Sequence, residues 1–179
     1  MTAFELKREE AIQNSRELIN LSKRIIYATH REDMKDAARL VAEIKKAYQK
    51  LLALCNIPLD MNMNLVAYQE YVEAICFYEF EKSGNIPTQK SLGVDTESYL
   101  LGLCDLTGEL VRYAVNSVIA KKFKKAMQIK DVVEEIYGEF LQFNLRNGEL
   151  RKKSDQIKWN LRKLEDIALD YSLKGRTNA

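Results

Sequence analysis

Residues 64–80 read NLVAYQEYVEAICFYEF, and only Asn64, Gln69, Glu70, Glu73 and Glu79 among them are polar. No strict alternation runs through the stretch, and it is too long for an ordinary strand. A helix that is apolar on nearly every side is one buried inside a larger assembly of helices. The expected helix covers about Asn64 to Lys82, with Gly84 as its C-cap before Pro87. A second apolar helix is expected from Asp95 or Thr96 to about Ala120. From Tyr99 onward its only charges are Asp105, Glu109 and Arg112.

The flanking segments are amphipathic. Phe4, Ile12, Leu18, Ile19, Ile25 and Ile26 mark a helix over about 3–29. Ala38, Val41, Ile44, Leu51 and Leu52 mark another from Met34 to Cys55, ended by Asn56-Ile57-Pro58. Thr88 to Leu92 reads as a short turn. Two further helices are expected over about Lys130 to Phe143 and Gly148 to Leu173, the last stopped by Gly175. The chain has seven glycines and two prolines in 179 residues, well under the average share of roughly 12%. A sandwich, a barrel or a glycine-rich dinucleotide fold would need more turns. The expectation is an all-α, single-domain bundle of about six to seven helices spanning residues 1–179.

Cysteine and histidine remove several chemistries. Cys55, Cys76 and Cys104 are widely spaced and set among apolar residues, so they read as buried, reduced thiols. His30 is the only histidine. That argues against histidine-ligated zinc, a Ser-His-Asp triad, a two-histidine ribonuclease and a di-iron bundle with two Glu-x-x-His motifs. No apolar run reaches the roughly 18 residues of a membrane span, so a cytoplasmic protein with no membrane partner is expected.

The net charge of +2 hides a division. Residues 1–60 carry a net +2, residues 61–120 a net −5, residues 121–163 a net +6 and the remainder −1. Within the acidic stretch Glu70 and Glu73 are three apart, and Asp105 and Glu109 are four apart. Each pair therefore shares one face of an apolar helix. Carboxylates taken out of water must be protonated, paired with cations or bound to metal. Arg112 can pair with Glu109. The remaining acids suit Mg²⁺ or Mn²⁺, which prefer oxygen ligands. A buried ion-pair network or a subunit interface would account for the same spacing. In the basic stretch, 121-KKFKK-125 and 151-RKK-153 stand with Arg146, Lys158, Arg162 and Lys163. Such clusters suit a phosphate backbone or form a solvated helix face. Trp159 and several tyrosines could stack on bases, but their helical spacing favours a core role.

Several motifs resemble the translin family. Gln69-Glu70-Tyr71-Val72-Glu73-Ala74, Tyr99-Leu100-Leu101-Gly102, Asp105-Leu106-Thr107-Gly108-Glu109-Leu110 and Asn116-Ser117-Val118 are similar to its factor X branch, as are Ser22-Lys23-Arg24 and His30-Arg31. Leu150-Arg151-Lys152-Lys153 and the segment Leu161 to Gly175 are closer to its translin branch. The resemblance implies a translin-like helical bundle that closes into a homo-oligomeric shell, an octamer. It also implies a metal-dependent endoribonuclease with Glu70, Glu73 and Asp105 as catalytic metal ligands and Glu109 beside them. RNA, single-stranded or partly unpaired, would be the substrate, and single-stranded DNA a further partner. By resemblance and charge, Lys23, Arg24, His30, Arg31, Arg151 and Lys153 are its RNA contacts. With no second histidine, direct hydrolysis to 5′-phosphate ends is expected. The alternative is a binding shell of translin type that does not cleave.

Overall fold

The computed structural model describes residues 3–54, 61–146 and 148–177. The described residues form seven helices and no strand. The expected break at Asn56-Ile57-Pro58, with Cys55 beside it, lies outside them. No helix among them is long and apolar enough to cross a membrane. The chain divides into two compact units, Met1–Gly102 and Leu103–Ala179.

The first unit holds α1 (Ala3–His30), α2 (Met34–Leu54), α3 (Met61–Ser83), the single turn α4 (Gln89–Leu92) and the start of α5 (Thr96–Ile119). Helices α1, α2 and α3 pack against one another. Leu18 and Ile25 of α1, Leu40, Ile44 and Leu51 of α2, and Ile75, Phe77 and Phe80 of α3 are almost fully buried. The inward stripe of α2 passes through Ala37 rather than Ala38, which is exposed, because Ala37, Leu40, Val41 and Ile44 share one face. The Tyr48 ring stacks on Tyr71 at 4.4 Å, and its hydroxyl donates to the Gly93 carbonyl. Helix α3 is buried continuously from Tyr71 to Tyr78, as its all-round apolar sequence requires.

Gly84, at φ 77°, closes α3 as expected, with its N–H donating to the Phe80 carbonyl. Asp95 caps α5: its carboxylate accepts from the Ser98 N–H at 2.9 Å and from the Ser98 hydroxyl at 2.6 Å. One turn later Gly102 lies against α3. A Cβ on Gly102 would stand 2.6 Å from Val72 Cβ and 2.8 Å from the Gln69 carbonyl oxygen. Only a hydrogen fits there.

The second unit holds the rest of α5, α6 (Phe123–Phe140) and α7 (Glu149–Thr177), with α6 packed on α7. The expected connection over 121–129 is helical instead. Lys121 takes a left-handed conformation at φ 61°, the Lys122 N–H donates to Ser117, and the Lys121 N–H donates to Val118. This is a Schellman turn with lysine where glycine is usual. It ends α5 within two residues, so α6 starts at Phe123. Ala126, Ile129, Val133, Ile136 and Phe140 then form its buried stripe, and the helix ends there rather than at Phe143. Helix α7 continues through Gly175 to Thr177, because Gly175 does not take up the left-handed conformation that would end it.

Gly102→Ala is expected to lower stability by about 1–3 kcal/mol, because the added methyl meets backbone as well as side chain. Lys121→Gly should instead stabilise by about 1 kcal/mol, by relieving the left-handed strain. Urea unfolding followed by circular dichroism checks both.

Candidate functional site

The two acidic pairs sit on different helices and in different units. On α3, Glu73 is 9% exposed and Glu70 half-buried, with Gln69 buried beside them. Residues three apart are displaced by about 60° around a helix. Glu73 therefore faces fully inward, while Glu70 stays at the edge of the stripe. The Gly102 approach fixes the start of α5 against the turn of α3 that carries them.

On α5, Asp105 and Glu109 are half-buried, at 29% and 25% side-chain exposure, where full burial was expected. Glu109 pairs with Arg112 at 3.5 Å, the expected i,i+3 partner, whose side chain is 60% exposed. Asp105 has a partner that the spacing alone did not indicate. Lys153 Nζ of α7 donates to both its carboxylate oxygens, at 2.7 and 2.9 Å, and is itself only 23% exposed. Two turns along α7, the Asn160 amide donates to the Thr107 hydroxyl at 2.9 Å, which donates in turn to the Cys104 carbonyl. Burial pushes the Cys104 thiol up to about 12, Asp105 adding to the shift and Lys153 opposing it.

Lys153, expected among the RNA contacts, stands four residues before Ile157, which with Leu161 and Leu164 forms the buried stripe, and this spacing carries it to Asp105. Trp159 was misplaced in the opposite direction. Two residues from Ile157, it points away from that stripe and is 59% exposed. It shares the outer face of α7 with the exposed Lys152 and Lys163.

The oxygen donors of the four acids suit a hard divalent cation in kind. They do not fit one as placed. Among the described residues no three His, Cys, Asp or Glu side chains are grouped to hold a metal ion. Lys153 already occupies both oxygens of Asp105.

In the first unit the basic residues gather around a shallow hollow of about 270 Å³, lined by Lys23, Arg24, Tyr27, Ala28, Arg31, Asp33 and Asp36. Tyr27 is 60% exposed, with the Arg31 guanidinium 5.5 Å from its ring centroid. The two acids of the wall are engaged elsewhere. Asp36 is bridged to Arg39, and Asp33 caps α2 by accepting from the Asp36 N–H at 3.1 Å. His30 does not join this group. It is half-buried, with its ring against Phe77 at 4.7 Å. Arg151 is exposed and pairs with Asp155 at 3.4 Å. The thiols of Cys76 and Cys104 are buried and reduced, as expected.

Long helices with acids built into apolar faces, and a separate basic hollow, define an all-helical protein suited to a polyanion. The chain belongs to the Translin family, whose model matches residues 6–175. Translin of Gallus gallus is 30% identical over 127 residues, covering 71% of this chain and 53% of that protein. The chain thus spans about half the length of that relative. The Translin-associated protein X homolog of Schizosaccharomyces pombe is 27% identical over 193 residues, covering 94% and 82%. Among solved structures, apo-NeC3PO has a TM-score of 0.85 at 32% identity, covering 90% of this chain and 88% of that one. A complex of AfC3PO with duplex RNA has a TM-score of 0.87 at 27% identity, covering 98% and 94%.

Burial also raises the Tyr71 and Tyr99 hydroxyls to about 12. The folded chain therefore retains protons that the unfolded chain releases. This contribution to stability is intact below pH 9, the ordinary range of an exposed thiol, and is lost as the pH rises toward about 12. Urea midpoints measured across that interval should fall steadily. A flat profile would contradict the burial of these groups.

Proposed function

We propose that this chain binds RNA, assembles with copies of itself into a translin-type shell, octameric by resemblance, and cleaves single-stranded or partly unpaired RNA with Mg²⁺ or Mn²⁺. The cleavage reading rests on Glu73, a carboxylate kept at 9% exposure within an apolar helix one turn from Glu70. Such a group is retained at a cost in desolvation that a site can use. Glu70, Glu73, Asp105 and Glu109 are the proposed catalytic and metal-holding residues. On this reading Asp105 must exchange Lys153 for the cation.

The RNA reading is supported by the hollow around Tyr27 and by the fold shared with AfC3PO, whose structure is known in complex with duplex RNA. Lys23, Arg24 and Arg31 would take phosphates there, while Tyr27 offers a face for a base. Single-stranded DNA presents the same phosphates and bases. With His30 the only histidine, direct hydrolysis to 5′-phosphate ends is the expected course. A second reading, RNA binding without cleavage, is favoured by one observation: the Lys153 bridge satisfies Asp105 without any metal.

Labelled single-stranded RNA separates the two. Wild type should cut it in Mg²⁺ and not in EDTA, and Glu73→Ala should lose at least about a hundredfold in rate while still binding. Salt-sensitive binding with no cutting under any condition would establish the second reading. Replacing Lys23, Arg24 and Arg31 together with alanine should reduce the slope of log affinity against log salt by about two to three, roughly one per phosphate contact. An unchanged slope would remove the hollow from the RNA path.

A further inference from the structure

The first unit has another hollow, of about 290 Å³, bordered by α2, α3, α4 and the loop between α3 and α4. That volume is close to the lower bound for small-molecule sites, roughly 300 Å³. Ile75, Ile86, Pro87 and Leu92 give it an apolar wall. The loop part of the wall is held by its own hydrogen bonds. The Tyr99 hydroxyl donates to the Pro87 carbonyl at 3.0 Å, the Asn85 N–H to the Ser83 hydroxyl at 3.3 Å, and Thr88 caps α4. Tyr71 also lines the hollow. It is only 3% exposed and its ring is stacked on Tyr48, yet among the described residues no group hydrogen-bonds its hydroxyl. A phenolic hydroxyl buried to this degree ordinarily has a partner. Two charges complete the lining. Lys45 is exposed and pairs with no carboxylate among the described residues. Glu79 is half-buried, and the ammonium of Lys82 stands 3.8 Å from it, beyond hydrogen-bond length.

We propose that this hollow binds a small zwitterion with an apolar body, of the free amino-acid class. The ligand carboxylate accepts from the Tyr71 hydroxyl and from the Lys45 ammonium. The ligand ammonium donates to Glu79, and the apolar body lies on Ile75, Ile86, Pro87 and Leu92. The Tyr71 hydroxyl is the decisive group. Folding has already taken it out of water without giving it a partner, so a ligand acceptor gains a hydrogen bond with little further desolvation of the protein. Burial keeps that hydroxyl protonated, and hence a donor, at every ordinary pH. The charges then select the ligand. A simple carboxylate would meet Glu79 as a like charge, and a simple amine would leave Tyr71 unanswered and face Lys45. A nucleotide phosphate would find one unpaired cation and a carboxylate in the same wall, the opposite of the basic hollow around Tyr27. The site is therefore distinct in chemistry from the proposed RNA contacts and does not depend on them.

The test is titration of the full-length protein with L-leucine, followed by saturation-transfer NMR of the ligand. Wild type should bind with a dissociation constant of about a millimolar, as a ligand of this size allows. Isovalerate, which lacks the ammonium, and isopentylamine, which lacks the carboxylate, should each bind at least about fivefold more weakly. Tyr71→Phe removes a hydroxyl that the fold does not use, so its melting temperature should not fall, while L-leucine should bind about tenfold more weakly, the value of a hydrogen bond to a charged group. Glu79→Gln leaves the Tyr48–Tyr71 stack untouched and gives an independent reading. It should weaken L-leucine but not isovalerate, abolishing the preference between them. The proposal is overturned if wild type shows no transfer to L-leucine at about ten times the expected constant, if isovalerate binds as tightly as L-leucine, or if folded Tyr71→Phe and Glu79→Gln both bind L-leucine as wild type does.

Discussion

A carboxylate carried on a helix that packs on most of its surface has to be matched by positive charge or hydrogen bonds. Much of this protein is arranged around that requirement. The apolar sequences of α3 and α5 leave few positions in water: Glu70, Asp105 and Glu109 are half-buried and Glu73 is buried. Glu109 is served by its own helix, through Arg112 one turn away. Asp105 is served by a helix that begins some forty residues later in the chain, through Lys153. The first pairing follows from local geometry. The second needs α7 to be docked on α5, and it draws the Asn160–Thr107 contact and the buried Cys104 into the same arrangement.

The positioning of those helices depends on a few close approaches and turns. Gly102 lets α5 lie directly on the turn of α3 between Gln69 and Val72, beside the Glu70/Glu73 pair. Capping by Asp95 fixes where α5 begins. At the other end the left-handed Lys121 turns the chain so tightly that the basic run 121–125 is divided between this turn and the first residues of α6. Its lysines are therefore spread around a helix end instead of forming a flexible basic arm.

The basic residues show the same division between local and tertiary control. Lys23, Arg24, Tyr27 and Arg31 are placed together by the period of α1 alone, at spacings of three and four. Of the two acids on the wall of their hollow, Asp33 accepts from the first turn of α2 and Asp36 is bridged to Arg39. His30 is a single residue from Arg31, yet 100° around the helix, and this directs it onto Phe77. Lys153 and Trp159 exchange the positions expected of them for the same reason. The buried face of α7 is set by Ile157, and a basic residue four before it comes inside while an indole two after it goes outside.

The amino-acid sequence by itself determined the helical class, most helix boundaries, the two acidic pairs, the Glu109–Arg112 bridge and the caps at Gly84 and Asp95. Each of these follows from interactions within about one helical turn, where periodicity and side-chain type are sufficient. Tertiary structure decided which acids are truly buried, the start of α6, the outward face of Trp159 and the pairing of Asp105 with Lys153. Burial depends on what packs against a helix. A left-handed lysine is stable only where the flanking helices hold it, and an ion pair across 48 residues exists only once two helices have docked.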